Sequence, residues 1–166
     1  MAYDRPAAPG ALEKIESFCN SARFLYGEDA FGTPQDTERW LHEHGRPISV
    51  DEPARQELVR LREAIRDHLE SGAAAELNEF ARTFLQAPQW DESGVRIPAA
   101  DGSVIGELVA ILAVEELAGR RERLKVCRST DCRWLFYDRS PANNSVWCSM
   151  SICGARHKMR SYRKRH

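Results

Sequence analysis

No stretch of this chain approaches the roughly 20 consecutive apolar residues that span a bilayer, so no membrane partner is expected. The opening Met1-Ala2-Tyr3-Asp4-Arg5-Pro6 has no apolar signal core, which points to the cytoplasm. There is no internal repeat and no low-complexity segment. Catalytic signatures are missing as well: no phosphate-cradling glycine motif, no Gly-x-Ser-x-Gly and no His-Glu-x-x-His. Carboxylates are plentiful on helical stretches but nothing pairs them, so an enzyme is not expected. Acidic residues are scarce in one place only. Residues 120–166 hold 3 Asp and Glu against 13 Lys and Arg, whereas the rest holds 22 against 11. Opposite charge of this size suggests a polyanion-binding module on an acidic body, or two halves that dock on each other.

What is there is sulfur at the C-terminal end. Four residues separate Cys127 from Cys132, four separate Cys148 from Cys153, and fifteen lie between the pairs. Paired thiols at this spacing suit a closed tetrahedral Zn²⁺ site with bonds of about 2.3 Å. Such a site leaves no position for water, so the metal folds the segment and performs no chemistry. Two disulfides, or four buried thiols, are the competing readings, but disulfide frameworks belong mainly to secreted chains. Cys19 stands alone in an apolar pattern and reads as an inert core thiol.

The first 119 residues read as helical. Residues 1–10 carry two prolines and a glycine and are expected to be loose. Leu12, Ile15, Cys19, Ala22 and Leu25 recur at helical spacing. Thr33 looks like an N-cap before Pro34, and that helix runs through Trp40 and Leu41 to Gly45. A third starts near Asp51, buries Leu58, Leu61, Ile65 and Leu69, and stops at Gly72. A fourth carries Leu77, Phe80 and Phe84, and residues 89–98 suggest a short hairpin around Gly94. Residues 103–118 are apolar around most of the circumference, which predicts a central helix buried on nearly all sides.

Residues 120–166 have a different logic. A thiolate-bearing turn leads into the strand-prone Arg133-Trp134-Leu135-Phe136-Tyr137-Asp138, turn residues follow, and Val146-Trp147 is expected to return beside it. Cys148 then leads into a helix containing Cys153. The order of turn, hairpin and helix is treble-clef-like. Trp134, Phe136, Tyr137 and Trp147 either form its small core or stack on bases.

At this point the residues resemble a known family. Leu124-Lys125-Val126-Cys127, Asp131-Cys132, Trp134-Leu135-Phe136, Asp138-Arg139-Ser140 and Trp147-Cys148-Ser149-Met150 are similar to the CGNR-type zinc finger, continuing through Cys153-Gly154, Arg156 and Lys158. Phe18, Asn20, Ser21 and the pair Trp40-Leu41 resemble the ABATE domain that precedes this finger. The resemblance implies a bacterial, stress-induced transcription regulator with a helical domain over 1–119 and a zinc finger over 120–166. In two places the chain departs from the family. Ala155 stands where the family has Asn, and the loop 141–146, usually basic, carries no cation.

The candidate sites follow. Cys127, Cys132, Cys148 and Cys153 are the zinc ligands. Arg156, Lys158, Arg160, Arg163, Lys164 and Arg165 are the candidate DNA contacts, and Arg156, Arg160, Arg163 and Lys164 share a face if the helix continues. Arg156 follows the second thiol pair at once, so it is expected to be the oriented arginine, while Arg163 to Arg165 lie near a fraying end. A solvated basic tail is the bland alternative. Asn20, Arg23 and Trp40 are candidates to line a pocket for a small-molecule effector. The expectation is a DNA-binding regulator with a helical sensor. Its rival is an adaptor whose finger contacts another protein, such as the transcription machinery.

Overall fold

The computed structural model describes residues 5–100 and 102–165. The helical body contains α1 (Leu12–Cys19), α2 (Pro34–Glu43), α3 (Glu52–Ser71), α4 (Ala75–Phe84) and α5 (Val104–Leu117). Two ribbons interrupt it, β1 (Ala22–Arg23) with β2 (Glu28–Asp29) and β3 (Gln89–Asp91) with β4 (Gly94–Arg96). The zinc module contributes β5 (Leu124–Val126), β6 (Leu135–Tyr137) and α6 (Ala155–Arg163). The fold is mainly α, as expected.

Local chemistry sets most helix ends. Thr33 Oγ1 accepts the Asp36 N–H at 3.1 Å, and its hydroxyl donates to the Asp36 carboxylate at 2.7 Å. Asp51 Oδ1 accepts the Ala54 N–H at 2.9 Å, and Gly72 closes α3 at a left-handed φ of 78°. Leu12, Ile15, Phe18, Phe31, Leu41, Leu61, Ile65, Phe80, Leu108 and Leu112 form one buried cluster. Cys19 lies fully buried within it, and burial pushes its thiol up to about 12. Gly106 lets α5 approach the chain before it: an added Cβ would lie 2.7 Å from Ala99 Cβ and 2.9 Å from the Phe84 carbonyl.

Two arginines of α3 are buried and paired. Arg62 donates both terminal nitrogens to Asp29 at 2.7 Å, and Nη1 also reaches Ser21 Oγ at 3.1 Å. Arg66 donates to Glu63 and to the carbonyls of Cys19 and Ala22. These bonds hold the segment after α1 in place. That segment corrects the expected helix through Leu25, because α1 ends at Cys19 and the chain turns into β1. The Cys19 and Ala22 carbonyls, which a longer helix would have paired internally, are bound by Arg66 instead.

Three further expectations are corrected. The segment before α1 is held from Arg5 onward, and Ala8 is 3 % exposed with its N–H donating to Glu16 Oε2. The rest of the stretch expected to be loose, and most of the Met1 to Pro6 opening, lies outside the described residues. The α5 helix is covered on one side only: Leu108 and Leu112 are buried, but Leu117 is 82 % exposed. The strand Leu135–Tyr137 pairs antiparallel with Leu124–Val126, not with Val146-Trp147. That pairing alternates sides. Leu124, Val126, Leu135 and Tyr137 face the helical cluster, whereas Phe136 belongs to the cysteine cluster. The ribbon is therefore a wall shared by body and zinc module.

Candidate metal centre and basic helix

The four cysteines of residues 127–153 arrive from two turns. The first turn is closed by bonds to the Ser129 carbonyl from the N–H of Cys132 at 2.8 Å and of Arg133 at 3.1 Å. Arg133 follows in a left-handed conformation, φ 48°. The Cys127 N–H donates to Trp134 O at 2.8 Å, which continues the β5–β6 ladder into the site. Cys148 and Cys153 come from the second turn, where a single π-turn over Met150–Gly154 runs straight into α6.

All four thiols are free and buried, and their sulfurs lie within 4.8 Å of one another. Cys148 Sγ is 3.7 Å from both Cys132 Sγ and Cys153 Sγ. A tetrahedron with Zn–S bonds of 2.3 Å has edges of about 3.8 Å, so the arrangement fits one Zn²⁺. Crowding shows why a cation belongs there. Hydrogen bonds from the neighbouring thiols hold the Cys127 thiol low, whereas bonds to Cys127 push Cys132 and Cys148 up, and burial pushes Cys153 up to about 12. Four thiolates in this space require a positive charge between them. Backbone N–H groups of Cys148 and Ser129 point at Cys127 sulfur and help to fix it.

Phe136, Trp134, Trp147 and Ile152 enclose the cysteines. Phe136 is 1 % exposed, so of the two readings of the aromatics its core role holds. His157 lies against Trp147, with ring centroids 5.0 Å apart, and seats α6 on this cluster.

Asp138 is a residue that sequence reasoning missed. It is fully buried, and it accepts Lys125 Nζ at 2.8 Å, the Ser140 N–H at 3.0 Å and the Ser145 N–H at 2.8 Å. Burial alone would raise its carboxyl, but Lys125 and these donors hold it well below the usual range. It shapes the loop 138–145. Its rarity was a signal, since only three acids occur in this basic segment.

The six basic candidates all lie on or just after α6, which buries no residue. Among the described residues, Arg156, Lys158, Arg163 and Lys164 have no ion-pair partner, and the Arg165 side chain donates to the Ser161 carbonyl. Arg160 is different: it pairs with Asp131 at 2.7 Å. The acidic body does dock on the zinc module, but through Arg133, which meets Glu63, Asp67 and Glu70 of α3.

Asn20, Arg23 and Trp40 come together along one open cleft of about 580 Å³, with Asp29, Asp36 and Arg39 beside them. Each already has partners within the chain. Asn20 donates to the Leu135 carbonyl at 3.0 Å and accepts its N–H at 2.8 Å, so it clamps body to ribbon. Arg23 pairs with Glu28 at 2.6 Å, and the Trp40 ring stacks 3.7 Å from His44. No helix among the described residues is long and apolar enough to cross a membrane.

Comparison with known families agrees with this division. A model of the CGNR zinc finger matches residues 123–166. A model of ABATE, described as "putative stress-induced transcription regulator", matches residues 16–120. No curated protein matches the chain.

Proposed function

The chain belongs to the ABATE family and ends in a CGNR zinc finger, and from that premise we propose that it regulates transcription in a bacterium by binding duplex DNA through α6. One observation carries the reading. The zinc-bound turn leads into α6 without a linker, and among the described residues no cation of α6 pairs with an acid of the helical body. A polyanion can then be met by a rigid positive edge, and each phosphate neutralised releases counterions. The helical body acts as the receiver of a signal, with the cleft along Asn20, Arg23 and Trp40 as the place for a small-molecule effector. Any such signal reaches α6 through the β5–β6 wall, because that ribbon packs against both units. No catalytic step is assigned, and the setting is cytoplasmic.

A salt titration of zinc-loaded protein on duplex DNA tests the reading. Replacing Arg163, Lys164 and Arg165 together by alanine should weaken binding to all sequences and flatten the salt slope by up to about three units. Wild-type protein with no measurable DNA binding at low salt would remove the proposal. The adaptor reading would then stand. It draws on the neutral loop 141–146 and on Met150 and Met159, which are exposed beside the cations.

A further inference from the structure

Of the cations on α6, Arg160 alone is held by the metal-fixed turn. Its Nη1 donates to Asp131 Oδ2 at 2.7 Å, and its Nη2 lies 3.4 Å from Ser129 Oγ. Both partners belong to the 127–132 turn, and Asp131 immediately precedes the ligand Cys132. The guanidinium is therefore gripped at its outer end by a backbone that the metal and the Ser129 carbonyl bonds keep in place. Its Nε has no partner among the described residues, and Nη2 carries a second hydrogen beyond its long contact with Ser129 Oγ, so Nε and Nη2 together can still offer two donors. Two parallel donors on one rigid edge match the O6 and N7 acceptors of guanine in the major groove.

The surroundings agree. Arg160 stands 46 % exposed beside Arg156, Met159 and Arg163 along a shallow cleft floored by Ile152 and Ala155. Among the described residues, only those of the zinc module and α6 line that cleft. An exposed ion pair such as Asp131 with Arg160 adds little to folding, so its value lies in orientation. Arg156, expected from the sequence to be the oriented arginine, has no such grip.

We propose that Arg160 is the base-reading residue of α6, that it recognises a guanine in the major groove of duplex DNA, and that Asp131 is its positioning residue. This rests on the DNA-binding reading above. It sets Asp131 apart from a carboxylate that simply masks a cation, because the two roles predict opposite effects on sequence preference.

The test is selection from a randomised duplex library at near-physiological salt, using zinc-loaded wild type, Asp131→Asn, Arg160→Lys, Arg160→Ala and Arg156→Ala. Affinities for the selected and a scrambled duplex follow, with zinc content and melting temperature measured alongside. Wild type should select a motif with an invariant guanine. Arg160→Lys keeps the charge but not the planar fork, so it should lose most of the preference for that guanine and about 10- to 100-fold in affinity for the selected duplex. Arg160→Ala should lose both as well. Asp131→Asn should bind scrambled DNA at least as tightly, since a negative charge is gone, while its preference for the selected duplex falls about 10-fold. Arg156→Ala should weaken both duplexes alike. Retained guanine preference in Asp131→Asn or in Arg160→Lys would overturn the assignment. So would loss of zinc from Asp131→Asn, which would make the pair structural. Wild type that binds every duplex with a steep salt slope but no guanine preference overturns Arg160 as the reader and leaves DNA binding standing. Wild type that binds no duplex removes both.

Discussion

The helical body and the zinc module reach order by opposite means. The body buries a continuous apolar cluster from five helices and spends its polar chemistry on two buried arginines. The zinc module has too little apolar surface for that, and its own cluster is four thiols with a few aromatics around them. One unit is held by area, the other by a metal. The difference shows where each is vulnerable: the body fails by cavities or orphaned charges, the module by loss of one ion. The two are not independent, because Leu124 and Leu135 of the module complete the core of the body.

Removing the metal should have the largest effect. Cys132→Ser, or a strong chelator, should forfeit binding free energy on the order of 10 kcal/mol and unfold the zinc module. Because β5 and β6 wall the body, its melting temperature should fall too. Circular dichroism melts with and without Zn²⁺ check this, and a body transition unchanged by the chelator would show that the wall stands without its metal.

Next comes the buried pair. Asp29→Ala takes the bidentate partner from Arg62, 1 % exposed, and leaves it only Glu63 at 3.0 Å and Ser21, so it should destabilise the protein by about 1.5–3 kcal/mol. The Asp29 carboxyl is raised by burial but lowered further by Arg62 and the Phe31 N–H, so the net shift is downward. A depressed carboxylate stabilises above its unfolded value of about 3.9 and loses that contribution as pH falls through its folded value. The difference in denaturant midpoint between wild type and Asp29→Ala should therefore shrink as pH drops below about 4. A constant difference down to strongly acid pH would count against the pair.

The joint itself can be tested with Asn20→Ala. It removes both bonds to Leu135, whose side chain is fully buried, and should lower stability by about 1–3 kcal/mol. Hydrogen exchange should quicken at the Leu135 amide more than in α3. Equal exchange at both would show that the clamp is not local.

The smallest effect belongs to α5. Leu117→Glu should change stability by less than about 0.5 kcal/mol, since the side chain is 82 % exposed. Leu108→Asp on the covered side should lose several kcal/mol by burying an unpaired charge. Chemical denaturation of the two variants tests the one-sided burial directly. Similar losses for both would mean that the outer side of α5 is covered in solution.

Legibility followed range. Thr33, Asp51 and Gly72 announced their helix ends because a cap is a bond between residues a few positions apart. The four zinc ligands were equally plain, since thiol spacing and the tetrahedral site constrain each other. The clamp made by Asn20 was not legible, because its partner, Leu135, lies 115 residues away. Arg160 was passed over for Arg156 because the grip of Asp131 crosses from one zinc turn to the helix after the other.

The sequence by itself determined the parts: a mainly helical body, a closed zinc site and a basic helix beyond it. These follow from periodicity, caps and ligand spacing, which act within a few residues. Only the tertiary structure decided how the parts meet: that β6 pairs with β5, that α5 keeps an open side, and that one of six basic side chains, Arg160, is held by the first zinc turn. Those outcomes depend on pairings between distant segments, where many partners satisfy the same local pattern and packing selects one.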